Sequence, residues 1–281
     1  LSKKENLNSH LLPGLDTKGI PKSLKNSAYP FNYNRLDQLE KIVSKNSIGT
    51  IIMEVSRNFR PENNFLKKVK KLAKQRNIIL IFDECTSAFR ENFGGLHKIY
   101  GVEPDIAIFA KSLGNGYPIA AIIGKKNVME VAQETFISST FWTERIGPAA
   151  ALKTLEIMEK NKTWEKISNT GKKIDHFWIR ISKKYGIDLK TQGLPALVNF
   201  SINSSNWLKY KTYITQEMLK KGFLASNAFF SSVVHSEKIL KSYFENLEPI
   251  FKKIGEFEKG SYNINIELET EVSHSGFKRL N

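Results

Sequence analysis

The chain contains 281 residues, 41% hydrophobic and 25% charged, which suits one large or two ordinary domains and excludes a wholly disordered chain. Its net charge of +15 at pH 7 is one signature of a nucleic-acid or other anionic partner. The lysines are spread along the whole sequence, however, so we interpret the charge as a solvated surface and expect no nucleic-acid partner.

The first half of the sequence alternates between helical and extended patterns. Residues 1–34 are polar and rich in turn-forming residues, which predicts an irregular connector. Apolar residues at helical spacing predict helices over 35–46 and about 63–76. Continuous apolar runs predict buried strands over 48–55 and 78–84. This order of elements is typical of a mainly parallel α/β sheet.

The alternation continues to about residue 160. A loop is predicted over 85–104, followed by strands at 105–110 and 119–123 with a glycine-rich turn between them. A short helix is predicted at 128–133, and a long alanine-rich helix begins at Pro148. We therefore expect a large α/β domain over this part of the chain.

Beyond residue 160 the pattern changes to longer helices with fewer strands. It predicts helices at 163–184, 206–221 and 236–256, with strands at 196–202 and 223–234. We interpret this part as a smaller α+β domain. The predicted domains are therefore 1–160, the C-terminal part of a large ligand-binding domain, and 161–281, a small C-terminal domain.

Three further features limit the class of protein. No apolar stretch approaches the roughly 20 residues that cross a bilayer, so we expect no membrane partner. Cys85 is the only cysteine, which excludes an intrachain disulfide and a cysteine-based metal site and fits a cytoplasmic setting. Because the chain begins at Leu1 in what resembles a mid-protein loop, we expect it to lack the N-terminal part of a longer polypeptide.

Two chemically distinctive residues follow two of the predicted strands. Asp83 ends one apolar run, and Lys111 follows the next, about one strand–helix–strand unit later. Both side chains should therefore reach the crevice at the carboxyl ends of the strands. An amine that can form a Schiff base, with an acid that can hold a pyridinium nitrogen, is what pyridoxal 5'-phosphate (PLP) requires of a protein. An ordinary solvated lysine is the alternative for Lys111.

Other readings of these residues remain open. Asp83 could be the magnesium-binding acid of an ATPase, but the phosphate-binding glycine loop required for that function is absent from this sequence. Cys85 faces the same side of an extended strand as Asp83 and could touch a bound ring, or it could be a plain buried thiol. The hydroxyls of Ser138, Ser139 and Thr140 suit either phosphate oxygens or ordinary loop and helix-cap roles.

At these residues the sequence resembles the class III (subgroup II) PLP-dependent aminotransferases of fold type I. Within that class it is most similar to the branch around glutamate-1-semialdehyde 2,1-aminomutase. The resemblance is dense over residues 48–160. The matching stretches are Ile51-Ile52-Met53-Glu54, Leu80-Ile81-Phe82-Asp83-Glu84, Tyr100-Gly101-Val102-Glu103-Pro104-Asp105, Ala110-Lys111-Ser112-Leu113-Gly114-Asn115-Gly116-Tyr117-Pro118-Ile119 and Ser139-Thr140-Phe141.

The resemblance implies a role for four residues. Lys111 would form the internal aldimine and then move the proton at the substrate carbon. Asp83 would pair with the pyridine nitrogen of PLP. Cys85 stands where the family commonly has valine against the ring face. Thr140 matches the threonine that reaches the cofactor phosphate of the neighbouring subunit, which implies a homodimer with shared active sites. No metal is expected.

The sequence also departs from the family pattern. Glu144 and Arg145 replace the usual Asn-Pro, and Ser87-Ala88-Phe89 replaces Thr-Gly-Phe. Residues 225–230 replace the stretch that carries a gating glutamate in the aminomutases. These changes favour a related aminotransferase, acting on a sugar or cell-surface precursor, over a true aminomutase. Small-molecule amino donors and acceptors are expected in either case.

Two alternatives of a different kind remain. A racemase or decarboxylase of the same fold would share the lysine and the cofactor, and sequence near Lys111 does not separate these reactions. A non-catalytic relative, or a basic nucleic-acid binder, would need neither. The retention of Asp83, Lys111 and Thr140 together argues against the non-catalytic alternative.

Overall fold

The computed structural model of the protein describes residues 4–10, 12–141 and 143–277. Its strands are β1 Thr50–Glu54, β2 Ile79–Asp83, β3 Ile106–Phe109, β4 Ala121–Gly124, β5 Leu189–Gln192, β6 Leu197–Ile202 and β7 Ala228–Phe230. Its helices are α1 Lys4–His10, α2 Leu36–Lys45, α3 Phe65–Gln75, α4 Lys126–Met129, α5 Ile146–Asn161, α6 Thr163–Tyr185, α7 Trp207–Lys220, α8 Glu237–Glu258 and α9 Ile264–Glu267. Short 3₁₀ helices span Lys22–Leu24, Leu96–Tyr100, Lys111–Leu113 and Glu130–Glu134.

The strands form two sheets. The first has the order β1-β2-β3-β4, in which the first three strands are parallel and β4 is antiparallel to β3. The second has the antiparallel order β5-β6-β7. The predicted α/β class with a mainly parallel sheet is confirmed. The two sheets fall on either side of residue 160, and the domain boundary there stays a prediction.

One face of the first sheet packs against α2 and α3. Alternate residues of β1 and β2, such as Ile51 and Leu80, point into a core that also contains Phe65 and Val69 from α3. Four lysines of α3 are exposed on its outer side, as expected for an amphipathic helix on a sheet: Lys67, Lys68, Lys71 and Lys74. Each buried aliphatic side chain in such a core contributes roughly 1.5–3 kcal/mol to folding.

The opposite face of the same sheet is open to solvent at its apolar residues. Ile52 of β1 is 57% exposed and Ile122 of β4 is 59% exposed. Ile52 is paired with Ile81, and Ile122 with Ile108, so these isoleucines share one face across the sheet. Mainly parallel sheets are normally covered on both faces, so the exposure of these isoleucines departs from ordinary burial.

The second sheet packs against α6, α7 and α8. Trp178 is fully buried, and its indole nitrogen donates a hydrogen bond to the Tyr243 hydroxyl at 3.0 Å. Phe200 of β6 stacks edge-on against Trp178 and Phe251. A buried indole needs a partner for its single donor, and Tyr243 provides it inside an otherwise apolar core.

The structure differs from the sequence prediction in several elements. β5 was not predicted, because Leu189–Gln192 is mostly polar and half-exposed and has no apolar run. The predicted strand at 223–234 is reduced to Ala228–Phe230, and the predicted loop at 85–104 contains the 3₁₀ helix Leu96–Tyr100. The connector at 1–34 contains α1. The remaining predicted helices and strands of the described chain are present, with ends shifted by a few residues.

Within the described residues, no helix combines the length and apolar character needed to cross a bilayer.

Asp105, just before β3, connects the start of that strand to α3, to β2 and to the residue that follows β4. One carboxylate oxygen accepts hydrogen bonds from Lys70 of α3 at 3.0 Å and from Lys125 at 2.7 Å. The other accepts from the Leu80 amide of β2 at 2.9 Å. Burial alone would raise the pKa of Asp105, but the hydrogen bonds from Lys125, Leu80 and Lys70 outweigh it and lower the pKa to about 2.

We therefore expect Asp105→Asn to lower the free energy of unfolding at pH 7 by about 2 kcal/mol. Because the pKa is depressed in the folded state, the stabilisation is present above the ordinary Asp pKa and is lost as the pH falls toward 2. Denaturant unfolding at several pH values should show the gap between wild type and variant closing over this interval. The exposed Asp16→Asn should change stability by less than about 0.5 kcal/mol. A gap that does not depend on pH would contradict the assignment.

Candidate active site

Three parallel strands, β1, β2 and β3, bring their carboxyl-terminal residues together at one end of the sheet. Glu54 at the end of β1 is in register with Asp83 at the end of β2, and Asp83 is in register with Ile108 of β3. Lys111 follows two residues after β3 ends, in a single 3₁₀ turn. The predicted meeting of an acid and an amine at this edge follows from the register of the three strands.

Lys111 has an unusual backbone conformation. Its φ angle is +46°, in the left-handed region that residues other than glycine rarely adopt. Its amine Nζ donates a hydrogen bond to Thr86 Oγ1 at 2.7 Å, so the side chain is held in place. Strained backbone of this kind costs of order 1–3 kcal/mol and is concentrated at functional sites.

Because Lys111 follows an apolar strand, its stem would be expected to be partly buried, but the structure differs. Lys111 is exposed, because it lies beyond the end of β3. Thr86, which holds its amine, is by contrast 8% exposed. Lys111 therefore presents its side chain to solvent from a buried anchor.

Asp83 and Cys85 lie beside each other at the end of β2. The Asp83 carboxylate accepts a hydrogen bond from the Cys85 amide at 2.9 Å, and both residues are half-buried. Burial, with the nearby Asp83 carboxylate as a further cause, raises the pKa of the Cys85 thiol to about 11. The thiol is therefore neutral near pH 7 and suits packing against a ring better than nucleophilic attack.

Glu84 points into the protein, away from the side that carries Asp83. It is fully buried and accepts hydrogen bonds from the His97 amide at 2.8 Å and from the Ser87 hydroxyl. His97 Nδ1 lies 2.9 Å from the same carboxylate. Three partners on one buried carboxylate fix the loop that follows β2. Among the described residues no group of three or more His, Cys, Asp and Glu side chains is arranged to hold a metal ion.

Thr140 is not brought into contact with the other three predicted site residues. It lies in an exposed turn, and the neighbouring Ser139 hydroxyl accepts a hydrogen bond from the Phe141 amide at 3.2 Å. That bond is the ordinary loop role for Ser139. The surrounding apolar side chains are strongly exposed, with Phe136 at 99% and Phe141 at 73%.

Three residues of the site were given no role from the sequence. Glu54 lies in the same row as Asp83, and it ends an apolar run just as Asp83 does, so the same signal could have identified it. Thr86 binds Lys111, and Arg90 donates from Nε to the Thr86 carbonyl oxygen at 2.9 Å. No local pattern marks Thr86, because its contact with Lys111 arises only when two strand ends meet.

Glu54 is the carboxyl of the site with the clearest electrostatic signature. Burial raises its pKa above the ordinary glutamate value, and the Asp83 carboxylate raises it further. Arg57, whose guanidinium lies 3.6 Å from the Glu54 carboxylate, opposes this, as does the Lys111 charge. Perturbed carboxyls at the mouth of a crevice are frequent at functional sites.

A cleft of about 580 Å³ opens beside the end of β1. Its wall includes Glu54 and Arg57, together with the aromatic rings of Tyr29, Phe31 and Phe59. Asp83, Cys85 and Lys111 do not line it. The cleft is therefore a neighbour of the strand-end residues and joins them only through Glu54.

Comparison with known proteins gives a consistent family. The model of the family described as Aminotransferase class-III matches residues 16–239. The chain is 35% identical over 208 residues to 3-aminobutyryl-CoA aminotransferase of Cloacimonas acidaminovorans, covering 71% of this chain and 48% of that protein. It is 27% identical over 261 residues to glutamate-1-semialdehyde 2,1-aminomutase of Hyperthermus butylicus, covering 85% and 61% respectively.

Solved structures agree in fold. FumI of Sphingopyxis sp. MTA144, in its PLP internal aldimine form, superposes with a TM-score of 0.79 at 21% identity, covering 85% of this chain and 61% of FumI. Acetylornithine aminotransferase of Elizabethkingia anophelis gives 0.70 at 23% identity, covering 79% and 59%. The predicted fold type I is confirmed by these likenesses. The chain spans about half to three fifths of the length of the curated relatives it matches.

The left-handed backbone at Lys111 gives a direct stability test. We expect Lys111→Gly to be more stable than Lys111→Ala by about 1 kcal/mol, because glycine adopts this conformation without steric cost. Thermal or denaturant unfolding of the two variants measures the difference.

The matched control is Lys71, an exposed residue inside α3. There the order should reverse, with alanine more stable than glycine by roughly 0.5–1 kcal/mol. If alanine were also the more stable residue at position 111, the backbone there would not be left-handed.

Proposed function

The chain belongs to the class-III aminotransferases, and on that premise we propose that it takes part in PLP-dependent transfer of an amino group. One observation carries the proposal: the Lys111 amine and the Asp83 carboxyl lie at the same carboxyl edge of a parallel sheet. Ligands of open α/β sheets bind at this edge. The transfer would take one of two forms, and the names of two relatives represent them. Glutamate-1-semialdehyde 2,1-aminomutase represents the mutase form, and 3-aminobutyryl-CoA aminotransferase represents the transaminase form.

The residues present suit PLP as a ligand. Asp83 offers a carboxylate to a ring nitrogen, and the neutral Cys85 thiol beside it offers an uncharged contact. Lys111 offers an amine whose position is fixed by Thr86 and whose side chain is open to solvent. The carboxylate of Asp83 matches the ring nitrogen of this cofactor, the thiol of Cys85 matches the ring, and the amine of Lys111 matches the aldehyde carbon.

When bound, PLP supplies an electron sink for the carbon that carries the amino group. Asp83 would keep a proton on the ring nitrogen, because a carboxylate stabilises the protonated form. Cys85 would pack against the ring. Lys111 would attach the cofactor and then, as a free amine, accept and return the proton at the substrate carbon.

The finer parts of the proposal concern assembly and substrate. We propose a cytoplasmic homodimer in which Thr140 reaches the cofactor phosphate of the neighbouring subunit. The exposed Phe136, Phe141 and Ile146 around that turn support a subunit contact, since apolar clusters of this kind usually mark interfaces. The substrates would be a small-molecule amino donor and acceptor.

Mutase and transaminase activity separate in one measurement. A transaminase would convert PLP to pyridoxamine phosphate when an amino donor is added and would release the corresponding oxo acid. An aminomutase would move the amino group from one carbon to another within the same molecule and would release no oxo acid. The changed residues 144–145 and 225–230 favour an aminotransferase acting on a sugar or cell-surface precursor, which would accept such a compound as a substrate.

The Schiff-base role of Lys111 is tested by trapping. We expect the purified chain mixed with PLP to show a visible absorbance band, and borohydride to fix the adduct on the peptide that contains Lys111. Lys111→Ala should remove both signals while far-UV circular dichroism stays unchanged. Peptide mass mapping locates the adduct.

Lys67→Ala is the control, because Lys67 is an exposed lysine of α3 to which no role in the site is given. Its adduct on Lys111 should equal that of wild type. An adduct on Lys111 would identify the Schiff-base residue. Its absence, both from this chain and from a version extended upstream, would point to a non-catalytic relative.

A further inference from the structure

Arg90 differs from the other arginines of the described chain in its burial. It is half-buried, whereas the other six arginines within the described residues are exposed. Burial lowers the pKa of Arg90, because it removes water that would solvate the charged guanidinium. A cation in such a place needs a partner of opposite charge.

The described chain does not supply that partner. Arg90 Nε donates a hydrogen bond to the Thr86 carbonyl oxygen at 2.9 Å. Its two terminal nitrogens have no hydrogen-bond or ion-pair partner within residues 4–10, 12–141 and 143–277, and they are not sealed from solvent. The adjacent Glu91 binds Arg60 at 2.8 Å instead. Arg90 therefore presents two open donors and an unpaired positive charge.

The acids at the start of the same loop have other partners. The Asp83 carboxylate accepts a hydrogen bond from the Cys85 amide. Glu84 is fully buried, and its carboxylate is bonded to the His97 amide and the Ser87 hydroxyl. An anion that neutralises Arg90 must therefore come from a ligand.

The position of Arg90 is fixed on both sides. The Ser168 hydroxyl of α6 donates a hydrogen bond to the Arg90 carbonyl oxygen at 2.7 Å. The preceding Phe89 has a φ angle of +62°, and its amide donates to the Gly94 carbonyl oxygen at 2.9 Å. A donor that is held in place before a ligand arrives loses less freedom on binding.

Arg90 and Lys111 are bonded to the same residue. Lys111 Nζ donates to Thr86 Oγ1 at 2.7 Å, and Arg90 Nε donates to the Thr86 carbonyl oxygen at 2.9 Å. Two hydrogen bonds and one threonine span at most about 10 Å between the two nitrogens. A ligand joined to Lys111 through a carbon atom can thus reach Arg90 with a group several bonds away.

We propose that Arg90 binds an anionic group of the ligand that is joined to Lys111, with its two terminal nitrogens donating to two oxygens of a carboxylate or phosphate. A planar guanidinium matches such a pair of oxygens. The inference deepens the proposed function and rests on it, because it names the chemical group that selects ligands at the same site.

The anion has two possible sources that share this chemistry. One is the phosphate of PLP. The other is a carboxylate of the amino substrate, several bonds from the amine. In the first case Arg90 selects the cofactor, and in the second it selects substrates that carry a distal negative charge.

The first test measures anion binding without any cofactor. Inorganic phosphate, pentanoate and the neutral pentanamide are each titrated, and the rise in melting temperature gives an apparent affinity. The variants are Arg90→Gln and Arg90→Lys. Arg76→Gln is the matched control, because Arg76 is an exposed arginine at the end of α3. Circular dichroism of the unliganded variants checks that they fold.

We expect both anions, but not pentanamide, to bind wild type and Arg76→Gln alike. Arg90→Gln should bind them at least tenfold more weakly, because it loses hydrogen bonds that carry a charge. Arg90→Lys should be intermediate, since it keeps the charge and loses the paired donors. Anion affinities that are equal in wild type and Arg90→Gln, or equally reduced in Arg76→Gln, would overturn the inference.

The second test identifies the source of the anion. The pentanoate titration is repeated after PLP has been fixed on Lys111 with borohydride, and the affinities for PLP and for pyridoxal, which lacks the phosphate, are compared by visible absorbance. If the cofactor phosphate is the anion, pentanoate should no longer bind, and Arg90→Gln should weaken PLP at least tenfold more than pyridoxal. If a substrate carboxylate is the anion, pentanoate should still bind, and Arg90→Gln should leave both aldehydes unchanged. Either result supports the role of Arg90.

The two tests fail separately. If the anions bind through Arg90 and neither aldehyde adds to Lys111, the anion site holds and the cofactor assignment fails. If both aldehydes add to Lys111 and Arg90→Gln changes no anion affinity, the cofactor assignment holds and the role of Arg90 is wrong.

Discussion

The register of three parallel strands is the constraint on which the candidate site depends. β1, β2 and β3 run in the same direction and end at the same side of the sheet. This register brings together three residues that are far apart in sequence: Glu54, Asp83 and Lys111. A shift of one residue would turn each side chain to the other face. At the opposite end of the sheet, the Asp105 carboxylate binds the Leu80 amide of β2 and Lys70 of α3, and these bonds stabilise the register of β2 with β3.

A second level of order comes from the buried Glu84. A carboxylate with no exposure to water is tolerated only when its oxygens are bonded, and here His97 and Ser87 meet that need. The loop after β2 is thereby fixed to the strand it follows. Thr86 lies inside this loop, so the position of the Lys111 amine depends on a network that never reaches the site surface.

Much of this arrangement could be predicted from the sequence, for an identifiable reason. Apolar runs predicted the positions of β1 to β4 along the chain, and a polar residue directly after such a run marks a strand end, which identified Asp83. β5 has no such run. The contact of Thr86 with Lys111 and the exposure of Lys111 depend on how distant segments meet, which no local pattern encodes. The roles given to Asp83, Cys85, Lys111 and Thr140 stay predictions.

The open isoleucine face of the first sheet couples association to chemistry. Ile52 and Glu54 alternate along one side of β1, and Ile122 is paired with Ile108 in the row that contains Asp83. Any apolar surface that covers these isoleucines would also expel water from beside the Glu54 and Asp83 carboxyls and would lower the dielectric constant around them. Thermodynamic reciprocity then requires that a ligand bound at Lys111 changes the affinity of this face for its cover by the same factor. Binding at the strand ends and binding on the sheet are, in this sense, one equilibrium.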